Sequence, residues 1–173
     1  DIIGESDPDF FGRGLSMNSA GDRIAIGAGQ GDSVNGLNSG HVKIYTWINP
    51  NWVQVGENID GPTAGDNFGG AWNVSMNDVG NRVAIGSHKG YVKVYELVGG
   101  SNLTINQNWN QIGADIIGKT TNDKFGNSLD INGAGDVVVI GAPGYGAGLQ
   151  NSVAVTGFVS ASVNRTTAPS SPQ

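Results

Sequence analysis

The chain has 173 residues and a mass of 17.8 kDa, room for one sizeable hydrophobic core and not for two independent ones. Its formal charge is −6 and its nine Lys and Arg are scattered singly, so no basic stripe exists to neutralise phosphates, and nucleic acid is not an expected partner. The absence of cysteine excludes a disulfide framework, a thiolate nucleophile and a Cys-ligated zinc site.

Composition points to strands and turns. There are 29 Gly, 19 Asn and 31 Val plus Ile, against 6 Leu and 3 Glu, so β-branched and turn-forming residues dominate while helix formers are scarce. No apolar run approaches the roughly 18 residues of a membrane-spanning helix, and membrane insertion is not expected. The chain opens on Asp1 rather than Met, which reads as a processed product or a piece of a longer protein.

Self-similarity organises the chain. Asp1-Ile2-Ile3-Gly4 returns as Asn58-Ile59-Asp60-Gly61 and as Asp115-Ile116-Ile117-Gly118, with the glycines 57 residues apart each time. Phe11-Gly12, Phe68-Gly69 and Phe125-Gly126 keep that period. Trp52-Val53-Gln54-Val55-Gly56 matches Trp109-Asn110-Gln111-Ile112-Gly113, and Val42-Lys43-Ile44-Tyr45 matches Val92-Lys93-Val94-Tyr95. Three repeat units are expected, 1–57, 58–114 and 115–165, followed by a Pro/Ser/Thr-rich tail or linker over 166–173.

In chain order, the first unit predicts strands at 15–17, 23–27, 41–47 and 52–56, and the second at 74–76, 82–86, 91–97 and 109–113. The third unit predicts 129–131, 137–141 and, more weakly, 152–158, with no recognisable fourth strand. Gly21, Gly80 and Gly135 stand where the hairpin between the first two strands of each unit wants a positive φ. Four antiparallel strands per unit, with an apolar second strand that must be covered on both faces, is the pattern of an all-β β-propeller blade. Trp52 and Trp109 are expected to pack between blades. Three units are too few for a ring, and both ends are irregular. The expectation is therefore that further blades of a parent chain or neighbouring subunits complete it, the rival being that 153–163 caps an open arc.

Phe125-Gly126, followed after fourteen residues by Gly141-Ala142-Pro143, resembles the FG-GAP repeat of integrin α-subunit propellers and of many bacterial and viral surface proteins. The first unit departs as Gly27-Ala28-Gly29 and the second as Gly86-Ser87-His88. The resemblance implies an extracellular, cell-surface or virion-surface setting and a role in adhesion, and it raises calcium as a cofactor, because many such blades carry an Asp-x-Asp-x-Asp-Gly loop. Here the corresponding stretches hold Ala20 and Ala134 where a third ligand belongs, so ordinary tight hairpins are expected, and no cofactor.

Asp7, Asp9, Asp66 and Asp123 precede the Phe-Gly pairs, either as loop-end carboxylates or as turn residues that bond their own backbone. The histidines His41 and His88 stand apart, no triad or metal spacing is present, and no Gly-rich loop opens a helix, so catalysis is not expected. The departures from the repeat are the better candidates, since binding residues concentrate on variable loops carried by a rigid scaffold. They comprise Asp32, Asn35 and Asn38 in the long loop 29–40, Trp72 in a two-residue insertion, His88 and Lys89 in the short loop of the second unit, and Tyr145 in the extended loop 143–148. The loop 99–106 is also lengthened, and Asn73, Asn102 and Asn164 open Asn-x-Ser/Thr sequons. The expected function is a non-enzymatic interaction or structural module that binds or bridges macromolecules, other protein subunits among them, through its variable loops. The alternative is a carbohydrate-binding accessory domain of a larger secreted enzyme, with glycans as partners.

Overall fold

The computed structural model describes residues 1–6, 8–70, 72–99, 107–120, 123–144 and 152–157. Asp7, Tyr145, the sequons at Asn102 and Asn164, most of the loop 99–106 and the tail 166–173 lie outside the described residues. Those described form no helix and thirteen strands in three antiparallel sheets.

The first sheet contains β1 (Gly14–Met17), β2 (Arg23–Ala28), β3 (His41–Ile48), β4 (Asn51–Gln54) and β5 (Ile59–Asp60). The second repeats it with β6 (Val74–Met76), β7 (Arg82–Ser87), β8 (Tyr91–Val98), β9 (Asn108–Gln111) and β10 (Ile116–Ile117), and the third has β11 (Ser128–Ile131), β12 (Val137–Ala142) and β13 (Ser152–Gly157). The expected fourth strand is thus two short ones in series. β4 pairs with the Tyr45–Ile48 end of β3 and β5 with its His41–Val42 end, and β9 and β10 treat β8 the same way. The Trp-x-Gln-x-Gly segment and the Ile-x-Gly segment recur together because they are two halves of one sheet edge.

The sheets stack face to face in sequence order. Alternation within each strand sends Ala25, Val42 and Ile44 of the first sheet onto Val74, Met76, Val83 and Ile85 of the second, around the fully buried Phe68. The opposite face of the second sheet, Ala84, Val92 and Val94, meets Ile131, Val138 and Ile140 of the third around Phe125. Trp109 belongs to the first joint, and its indole Nε1 donates to the Val55 carbonyl of the preceding sheet at 2.9 Å. Trp52, at the equivalent place in the first unit, is half-buried and meets Trp47 edge-on, with ring centroids 5.4 Å apart.

Each joint is also polar, and it repeats. Arg23 Nη1 donates to the Gly80 carbonyl and Arg82 Nη1 to the Gly135 carbonyl, both at 3.0 Å. Ser16 Oγ accepts from the Met76 amide at 3.0 Å, and Ser75 Oγ from the Ile131 amide at 3.1 Å. The next arginine position of the series is Val137 and the next serine position is Asp130, whose carboxylate receives the Ser75 hydroxyl at 2.7 Å.

The Phe-Gly pair follows from packing. The glycine amides of Gly12, Gly69 and Gly126 donate to the carbonyls of Gly27, Gly86 and Gly141, joining each pair to the second strand of its own unit. A Cβ on Gly27 would overlap the Gly69 carbonyl oxygen, and one on Gly86 the Gly126 oxygen, so adjacent sheets touch backbone to backbone there. The Phe side chain packs on the glycine that ends each Ile-x-Gly segment, where a Cβ on Gly4 or Gly61 would lie 2.8 Å from that of Phe11 or Phe68.

Candidate functional site

Antiparallel order gives every sheet two ends. At one end, Asn18, Asn77 and Asn132 close the hairpins between the first two strands. Asn18 Oδ1 accepts from the amides of Asp22 and Arg23 at 3.1 and 2.9 Å, and its Nδ2 donates to Asp22 Oδ1 at 2.8 Å. Asn132 repeats this with Asp136 and Val137, and Asn77 with Arg82 and Asn81. The turns are bonded in series, Ser19 N to the Asp78 carbonyl and Asp78 N to the Gly133 carbonyl. Oxygens that a calcium loop would turn towards a cation are here spent on the turn itself. Among the described residues no group of three or more His, Cys, Asp or Glu gathers to hold a metal ion.

At the other end the units differ. The residue after each Phe-Gly pair is Arg13, Gly70 or Asn127, and all three line one cleft of about 160 Å³. The residue before each pair is Phe10, Asn67 or Lys124, each with a positive φ of 55°, 47° and 57°. Phe10 and Asn67 line the same cleft, and Lys124 lines a smaller one beside it that shares His88 and Asn127. Gln30 completes the first unit's contribution. The two-residue insertion of the second unit puts Trp72 on the cleft with its ring 74% exposed and its backbone at φ 60°. An aromatic residue in the left-handed region costs about 1–2 kcal/mol, and Trp72 offsets it with no hydrogen bond or ring contact among the described residues.

The charged groups that line the two clefts are basic, in a chain whose net charge is negative. Arg13 lies over the Phe10 ring, its guanidinium carbon 5.0 Å from the centroid. His88 is held below the ordinary imidazole range, first by removal from water and then by the neighbouring charges of Lys124 and Arg13. No Asp or Glu lines either cleft. Asn73, next to Trp72, is fully buried with neither amide atom hydrogen-bonded, and its Nδ2 lies 4.0 Å from where a Gly70 Cβ would stand. That burial also removes Asn73 as a sugar acceptor in the folded chain.

Trp72 and His88 are therefore brought together, and the other expected residues fall elsewhere. Lys89 Nζ donates to Thr63 Oγ1 at 2.6 Å and pairs with the buried Asp66 at 3.2 Å. Asp32 Oδ1 accepts from the Asn38 amide at 2.8 Å, Asn35 Nδ2 donates to the Gly61 carbonyl at 2.9 Å, and the Asn38 carbonyl accepts from the Asn67 amide at 3.0 Å. The Asn35 and Asn38 bonds hold the long loop onto the segment before Phe68, and the Asp32 bond is internal to the loop. Tyr145 lies outside the described residues. Asp9 and Asp123 bond the amides of Phe11 and Phe125 at 2.9 and 3.0 Å, and Asp66 bonds the Thr63 amide at 2.6 Å, all three serving the local backbone. His41 is buried with both ring nitrogens unpartnered, under Gly31.

Sequence reasoning passed over Phe10, Arg13, Gln30, Asn67, Lys124 and Asn127. The signal that would have found most of them is divergence inside the repeat, since 10, 67 and 124, and 13, 70 and 127, are equivalent positions between segments that repeat closely. The chain matches no family model, and no curated protein matches it.

Proposed function

We propose that the chain is a three-blade segment of an FG-GAP-like β-propeller that works as a non-enzymatic recognition module on an extracellular or virion surface, binding macromolecular partners through its loop end. The observation that carries this reading is the convergence of Arg13, Gly70 and Asn127, equivalent in the repeat and unlike in chemistry, on one cleft beside the strained and exposed Trp72. Repetition supplies a rigid scaffold, and divergence at one end supplies specificity. The repeated Arg and Ser joints and the exposed Leu15 and Met17, which stand where Val74 and Met76 are buried in the second unit, support completion of the arc by further blades or subunits.

A second reading, a carbohydrate-binding accessory domain of a larger secreted enzyme, is favoured by an exposed indole flanked by the amide side chains of Gln30, Asn67 and Asn127. The test compares retention of the purified chain on immobilised cell-surface extract with that of two variants. Trp72→Gly should abolish retention, and Val79→Ser, at an exposed site on the turn end, should leave it unchanged. Equal retention of all three chains would remove the loop end from the function.

A further inference from the structure

We propose that the loop-end cleft binds a carboxylated sugar, a single uronic-acid-type pyranose ring at the end of a glycan. This rests on the loop-end recognition reading and narrows it to a ligand class.

Size sets the first limit. The cleft of about 160 Å³ is small and open to solvent on one side, which suits the end unit of a glycan. Lining chemistry sets the second. Trp72, 74% exposed, offers an aromatic face to the apolar face of a pyranose, and Phe10 of another unit carries Arg13 over its ring at the cleft. Gln30 and Asn127 offer amides that can donate to and accept from ring hydroxyls, and Asn67, whose Nδ2 donates to the Gly65 carbonyl at 3.2 Å, adds its amide oxygen.

Charge sets the third limit. Two cations from different units, Arg13 and Lys124, stand on the two adjoining clefts, which share His88 and have no carboxylate in their lining, in a chain of net charge −6. Arg13 and Lys124 form no ion pair among the described residues. Like charges gathered without a counter-charge lower the stability of the empty protein and favour an anion in the cleft. The planar Arg13 fork matches a carboxylate in two-point geometry, and such charge-assisted bonds are stronger than neutral ones. A neutral sugar would leave these cations unused.

The test is calorimetric titration of the full chain with methyl glucuronide, neutral methyl glucoside and a sulfated glucoside. Methyl glucuronide should bind, with the glucoside weaker by roughly tenfold or more, as loss of a charge-assisted bond implies. Arg13→Gln should remove that preference, and Trp72→Ala should weaken both sugars. Both side chains are exposed, and a thermal melt confirms that the variants fold. Equal binding of glucuronide and glucoside, or binding of the sulfated sugar alone, overturns the carboxylate assignment and leaves the loop-end reading intact. If no sugar binds but surface-extract retention still depends on Trp72, the sugar class is wrong and the recognition site stands. If both measurements are negative, both readings fall.

Discussion

The two ends of the stacked sheets are built by the same repeat under opposite rules. At the turn end, Asn18, Asn77 and Asn132 share two bonds in all three units, accepting from the amide five residues on and donating to the side chain four residues on, and the turns link to one another through Ser19, Asp78 and Gly133. At the loop end, the equivalent positions hold Arg, Gly and Asn, or Phe, Asn and Lys, and an insertion adds a strained Trp72. A side chain fully engaged by its own backbone cannot recognise anything else, whereas cations outside any ion pair, the amides of Gln30 and Asn127 and an exposed indole can. The proposed recognition site therefore lies where the repeat stops agreeing with itself.

The comparison can be broken hardest at the glycines that let the sheets approach. Gly27→Ala or Gly86→Ala puts a Cβ into the carbonyl of Gly69 or Gly126 and forces adjacent sheets apart there. A loss of about 3 kcal/mol or more is expected, read from the urea midpoint. An unchanged midpoint would mean that the backbones do not meet there.

The turn end can be weakened alone. Asn77→Ala leaves buried amides unpaired and should cost about 1–2 kcal/mol, more than Asn132→Ala, because Asn77 is 2% exposed and Asn132 lies in the open. Thermal melts of the two variants compare them directly. Equal shifts would show that burial does not set the strength of this turn.

The histidines give a pH-dependent contrast. Burial, then Lys43, lowers the His41 pKa, with Glu5, Asp60 and Asp9 opposing. The unfolded chain takes up a proton near pH 6.5 while folded His41 resists it, so this group's contribution is intact above about pH 6.5 and is lost as pH falls towards the folded value. Because both ring nitrogens lack partners, His41→Leu should flatten the decline in stability between pH 7.5 and 5.5 without a large loss at pH 7.5. His88 is shifted the same way and leaves a residual slope. Identical slopes for wild type and His41→Leu would contradict the buried neutral imidazole.

The smallest effect on stability is expected at Trp72. Trp72→Gly relieves a φ of 60° but loosens the unfolded chain, and the two effects nearly cancel, to within about 0.5 kcal/mol. Binding should nevertheless be lost. A large destabilisation would instead make Trp72 a packing residue.

The sequence carried much of this architecture in its period. Strands 15–17, 23–27 and 41–47, with their counterparts, were readable because apolar runs and hairpin glycines recur at fixed spacing. Splitting of the fourth strand was not readable, because Ile59-Asp60 and Ile116-Ile117 are too short to carry a pattern and only their pairing with β3 and β8 reveals them. At the site, Trp72 and His88 stood out as local departures. Arg13 and Asn127 did not, because a single polar residue in a loop looks ordinary until the fold gathers three equivalent loops around one cleft.

The most direct test of recognition at the loop end is a titration of the ¹⁵N-labelled chain with methyl glucuronide, followed by amide and indole shifts. The account predicts movement at Arg13, Gln30, Gly70, the Trp72 indole, His88 and Asn127, and none at the turns of Asn18, Asn77 and Asn132. Shifts confined to those turns, or to the exposed face carrying Leu15 and Met17, would contradict it.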